Sequence, residues 1–63
     1  MKITLYEYSK KVYLTTDAEL ERLPNIGEFM CIDKVGYNVT NIHTIFNTIT
    51  KEVKLIIFLN KCN

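Results

Sequence analysis

The last regular stretch of the chain constrains the fold most. From Lys51 to Asn60 it reads as a strand in which Val53, Leu55, Ile57 and Leu59 share one face. Ile56 and Phe58 share the other face with Glu52, Lys54 and Asn60. Large apolar side chains therefore point both ways, and both sides need cover. A single β-layer of this size must curl on itself, pack a helix or pair with another chain to bury an apolar face. The chain has 63 residues, and one so short buries only ~60% of the surface its unfolded form exposes. Two adjacent exposed hydrophobes would serve a monomer poorly and would invite strand pairing. The pattern thus predicts a homo-oligomer with Ile56, Phe58 and Lys54 at the interface.

The rest of the chain reads as further β-structure. Ile3 to Tyr8 alternates and is rich in β-branched and aromatic residues, Ser9-Lys10-Lys11 is a polar break, and Val12-Tyr13-Leu14-Thr15 resumes the pattern, so the two runs suggest a hairpin. Thr16-Asp17-Ala18-Glu19 has the spacing of a capping box, with Leu20 and Leu23 able to face one core; Pro24 limits the implied helix to residues 17–23. Pro24-Asn25-Ile26-Gly27 is a turn, Glu28 to Asp33 the next strand, and Lys34-Val35-Gly36 the next turn. The apolar phase then slips between Val39 and Ile42, as a β-bulge near Thr40-Asn41 would make it do, and Asn47-Thr48 turns the chain. The expected domain is a single unit over residues 1–63. It is mainly β, a small antiparallel five-stranded barrel or curled sheet with one short helix near residues 17–23.

Leu23-Pro24-Asn25-Ile26-Gly27-Glu28, then Ile32, then Tyr37-Asn38-Val39-Thr40-Asn41-Ile42 carry a recurring pattern. It is a Pro, a Gly-Glu three residues on, an apolar strand, then Tyr-x-Val-x-x-Ile. The pattern resembles small, mostly uncharacterised SH3-like β-barrel proteins of phages and bacterial mobile elements, over about a third of the chain. The resemblance implies an SH3-like outline and a phage or mobile-element origin. It brings no catalytic residue with it.

Composition narrows function mainly by exclusion. Eight Lys+Arg against seven Asp+Glu give net +1, so bulk charge does not mark a dedicated nucleic-acid or membrane-surface binder. Carboxylates concentrate in residues 17–33, which carry net −4 against +2 before them and +3 after. Asp17, Glu19, Glu21, Glu28 and Asp33 suit a solvated, capped element, or an acidic patch that docks a basic partner. Lys10 and Lys11 interrupt any signal-peptide core, and no apolar run reaches the length of a membrane span. A cytoplasmic protein with reduced Cys31 and Cys62 is the expectation, with Cys31 a small buried hydrophobe within Phe29-Met30-Cys31-Ile32. There is no phosphate loop, no nucleophile elbow and no metal-ligand spacing. His43 is the lone histidine, and only a spatial pairing with Cys31 would give it a nucleophile. Neither catalytic residues, nor a metal, nor a cofactor is expected.

Binding is what remains. Tyr6, Tyr8 and Tyr13, with Lys10 and Lys11 between them, form the one aromatic-basic stretch, and alternation puts Tyr6 and Tyr8 outward with Ile3 and Leu5 inward. Such a stretch suits a protein interface or a single-stranded nucleic acid. The leading expectation is a small non-enzymatic interaction protein, phage- or mobile-element-encoded, that inhibits or sequesters a host factor. The alternatives are a single-stranded nucleic-acid module using Tyr6, Tyr8, Lys10, Lys11 and Tyr13, and an oligomer that captures a small anionic ligand with Lys51, Lys54 and Lys61.

Overall fold

The computed structural model describes residues 2–62. Five strands form one sheet: β1 (Lys2–Glu7), β2 (Val12–Ala18), β3 (Phe29–Ile32), β4 (Val35–Phe46) and β5 (Val53–Lys61). Their order across the sheet is β2-β1-β5-β4-β3. The doubly apolar strand that opened the sequence reading is therefore the central one, as runs apolar on both faces usually are. Its backbone is paired on both sides, so β5 is closed to strand pairing with another subunit.

The sheet is mixed, which corrects the antiparallel expectation. β1 and β2 form the expected hairpin, and β3–β4 and β4–β5 are antiparallel. β1 and β5, however, run parallel, with Ile3 beside Leu55, Leu5 beside Ile57 and Tyr6 beside Phe58. A parallel neighbour requires a long crossover, and here β2, β3 and β4 together supply it.

Curling into a half-barrel closes the inner face. Ile3, Leu5, Tyr37, Val39, Leu55, Ile57 and Leu59 form the core, with Ile57 and Leu59 both at 0% exposure. Full burial of an aliphatic side chain of this size contributes roughly 1.5–3 kcal/mol. Leu14, Ala18, Leu20, Met30, Ile32, Val35 and Ile42 pack around that centre, and the buried Pro24 helps the connection after β2 to cover the open side.

That connection is not a helix. No residue among 17–23 is helical; β2 runs on through Ala18, which pairs with Ile3. Thr15 and Thr16 are β-branched and favour the extended chain, and the Asp17 N–H is satisfied by Thr15 Oγ1 at 3.3 Å. Before Pro24 there is room for under two turns, too few to offset the cost of helix nucleation. Leu20 faces the core as expected, but Leu23 is exposed.

The turns follow from backbone chemistry. The Glu28 N–H bonds the Asn25 carbonyl at 3.0 Å, and Gly27 takes φ 91, the left-handed position of a type II turn. Asp33 and Lys34 both have positive φ, 51 and 68, which makes a two-residue type I′ hairpin turn. The turn expected at Lys34-Val35-Gly36 thus sits one residue earlier, and Gly36 belongs to β4. A Cβ on Gly36 would lie 2.8 Å from the Phe29 ring, which covers the gap left by the missing side chain. The bulge falls where the phase slip put it: Val39 pairs with Leu59 and Asn41 with Phe58, leaving Thr40 as the extra residue. Asn47 then caps its turn by accepting from the N–H groups of Ile49 and Thr50.

Cys31 is exposed, contrary to its apolar neighbourhood in sequence, because β3 turns Met30 and Ile32 inward and so presents Phe29 and Cys31 outward. Cys31 and Cys62 are both free thiols. They flank Gly36 from its two sides, Cys31 on β3 and Cys62 just past β5, two strand spacings or about 10 Å apart, which is outside disulfide reach. Among the described residues no helix is long and apolar enough to cross a membrane.

Candidate binding face

Parallel pairing of β1 with β5 brings the two surfaces singled out in the sequence into one. Tyr13, Tyr6, Phe58 and Asn41 are successive partners across β2, β1, β5 and β4. The Tyr6 ring meets Tyr13 at 5.0 Å and Phe58 at 5.4 Å, both edge-to-face. Tyr8 reaches Phe58 at 6.5 Å, and His43 packs on it at 4.6 Å. Edge-to-face pairs of this kind contribute ≈0.5–1.5 kcal/mol each beyond area burial. Phe58 is the hub, half-buried beneath its neighbours, while Tyr8 and Tyr13 remain 59% and 63% exposed. Tyr6 and Tyr8 thus share the outward face, and Ile3 and Leu5 the inward one, as alternation required.

The other expected residues fall around this row. Ile56 lies half-buried in the next row, between Thr4 and His43. Lys54 ends the same face beside Ile45. Lys10 and Lys11 occupy the β1–β2 turn, both exposed, with the Lys11 N–H bonded to the Tyr8 carbonyl at 3.3 Å. No paired position of β1, β4 or β5 on this face carries a carboxylate.

Between Tyr8 and His43 the face opens into a groove of about 430 Å³ lined by Tyr8, Thr40, Asn41, His43, Phe58 and Asn60. Its β4 wall is ordered by local hydrogen bonds. Thr40 Oγ1 donates to the Phe58 carbonyl at 3.1 Å, and Asn41 Oδ1 accepts from the Ile42 N–H at 2.9 Å. That second bond fixes the Asn41 amide, so its Nδ2 donates to His43 Nε2 at 3.2 Å. A neutral His43 accepting at Nε2 carries its proton on Nδ1. Among the described residues, Tyr8 Oη and the Asn60 amide have no side-chain hydrogen-bond partner and can bond a ligand.

Alternation along single strands does not place Asn41, His43, Thr40 and Asn60 in the site, although the sequence carries the signal that does. A one-residue slip reverses every side chain beyond it, so the bulge at Thr40 hands the outer face to Asn41 and His43. Cys31 and His43 are not brought together: Cys31 pairs with Gly36, seven residues up β4 from His43, roughly 20 Å away.

The carboxylates lie elsewhere. Glu28 pairs with Arg22, whose Nη1 donates to Oε1 at 3.0 Å, and the Asn25 N–H adds a bond at 3.1 Å. These contacts, Arg22 first, hold the Glu28 carboxyl below its ordinary value. Glu7 is 3% exposed on the inner face, where its oxygens accept from Tyr37 Oη at 3.2 Å and Ser9 Oγ at 2.9 Å. Burial, then the charge of Glu7, pushes the Tyr37 hydroxyl above its ordinary value. No cluster of three or more His, Cys, Asp or Glu side chains among the described residues could hold a metal ion.

No family model matches the chain, and no curated protein or solved structure shows significant similarity to it. The reading of function rests on the face itself.

Proposed function

We propose that this is a non-enzymatic binding protein that engages a protein partner through the outer aromatic face, inhibiting or sequestering it. The composition of the face supports this. Tyr6, Tyr8 and Tyr13 stand with Asn38, Asn41, Asn60, Thr40 and His43 around a half-buried Phe58 and Ile56. Tyrosine and asparagine over a rigid aromatic floor are what protein-recognition surfaces use, because two-torsion aromatics bury area at low entropic cost and amides adapt their hydrogen bonds. A phage or mobile-element origin, as the resemblance over residues 23–42 implies, would make a host protein the partner.

The test is affinity capture from host extract on immobilised protein. The reading expects a saturable protein partner whose capture survives nuclease and is lost with Tyr8→Ala plus Tyr13→Ala. Capture that ignores those two changes would remove the face from the function.

One observation favours a second reading. The paired positions of the face lack carboxylates, while Lys10 and Lys11 border one end and Lys54 the other, an arrangement that also suits single-stranded nucleic acid. That reading requires a labelled oligonucleotide to bind with steep salt dependence and to lose affinity with Lys10→Ala and Lys11→Ala.

A further inference from the structure

The sheet has two open edges, and they differ. β2 is irregular, with register shifts between Ile3 and Leu5 and between Leu5 and Tyr6 where it meets β1, and bulges of this kind protect an edge from pairing. β3 is regular over Phe29–Ile32, carries no charge and no proline, and pairs residue for residue with β4.

The hydrogen-bonding sense of β3 is fixed by two contacts. The Val39 N–H bonds the Glu28 carbonyl at 2.9 Å, so Glu28 faces β4, and by alternation so do Met30 and Ile32. The Cys62 N–H bonds the Gly36 carbonyl at 2.9 Å, so Gly36 faces β5 and its partner Cys31 faces away from β4. Phe29 and Cys31 therefore direct their N–H and C=O groups off the open edge.

We propose that this edge pairs with the same edge of a second copy of the chain, antiparallel, about a two-fold axis at Met30. In that register Phe29 of each copy lies opposite Cys31 of the other, and the four residues exchange four N–H···O bonds. Every outward group of the strand is satisfied, which is what makes β3 its own complement. Met30 meets Met30 on the inner side, where it already packs on the core, so the two cores become continuous. Ile26 and Phe29, exposed at 64% and 60% beside this edge, gain cover. The lack of charge on β3 removes any repulsion between identical strands. Self-association thus falls on β3 rather than on Ile56, Phe58 and Lys54, and both outer aromatic faces stay open.

The experiment combines light scattering with amide exchange on the whole chain. The wild type should give twice 7.4 kDa, with the Phe29 and Cys31 amides protected from exchange in proportion to the dimer. Cys31→Pro removes one outward donor without touching the β3–β4 ladder, and should give a folded monomer. Cys31→Lys, a charge beside the two-fold axis, should do the same should the proline variant fail to fold. A wild type that stays monomeric at millimolar concentration overturns the proposal. So does a dimer that survives Cys31→Lys, or protection that appears on Val12–Ala18 instead. Neither variant should change partner capture through Tyr8 and Tyr13, so failure here leaves that reading standing.

Discussion

The two faces of this sheet are built from the same strands and obey different rules. The inner face is mainly aliphatic and shut: Leu55, Ile57 and Leu59 on β5 stand beside Ile3 and Leu5 on β1, with Val39 across from Leu59. The outer face is aromatic and open: Phe58 on the same strand anchors Tyr6, Tyr8 and His43, and of these Tyr8 and His43 are exposed. Burial is concentrated on one side of the layer, and on the proposed reading recognition falls to the other; the curl is what lets one layer carry both.

The largest test of that division is Ile57→Ala. A fully buried Ile leaves a cavity the half-barrel has little means to collapse, and a loss of about 2–5 kcal/mol in denaturant unfolding is expected. Phe58→Ala, one residue away on the other face, should cost about half as much as a fully buried Phe, ~2 kcal/mol, and should abolish partner capture. Equal losses at the two positions would erase the distinction between the faces.

The polar contact on the inner side offers a pH test. Because the folded-state value of the Tyr37 hydroxyl is raised above 10.0, its contribution is present below that pH and is lost as pH rises through the folded value. Thermal melts should therefore fall on the alkaline side of pH 10, and Tyr37→Phe should flatten part of that slope. Glu28 has the opposite sign. Its folded value is lowered below 4.5, so its contribution holds above that pH and fades as pH falls through the folded value; Glu28→Gln should remove that acid slope. The Arg22–Glu28 pair is exposed, and exposed pairs contribute little, so the change is small.

Tyr8→Ala should move stability least, within about 0.5 kcal/mol as surface changes do, while weakening binding strongly. A large destabilisation would mean that Tyr8 belongs to the packing rather than to the recognition surface.

Much of the inner face was legible because alternation is a local signal. Val53, Leu55, Ile57 and Leu59 declare their shared side without reference to the rest of the chain, and the slip from Val39 to Ile42 declares the bulge. What the strands pair with is a long-range fact. Nothing near Tyr6 says that Phe58, 52 residues on, lies beside it in parallel, so one face was read as two. The helix expected over residues 17–23 fails for the converse reason. The Thr16–Glu19 spacing is a sound local signal, but Ala18 gains more from pairing with Ile3 than a helix cut short by Pro24 could return. Gly36 was read as a turn residue when its role is to leave room for Phe29.

The position of β5 also dictates an order of events. Among the described residues β1 pairs only with β2 and β5, and β3 only with β4, so the β1–β2 and β3–β4 hairpins are joined into one sheet only by pairing with β5. Until Val53–Lys61 has left the ribosome, the nascent chain can offer at most two hairpins with no strand pairing between them, each with a bare apolar strand. Productive folding is thereby deferred until β5 has emerged, and the interval is a window in which chaperones and proteases compete for the chain.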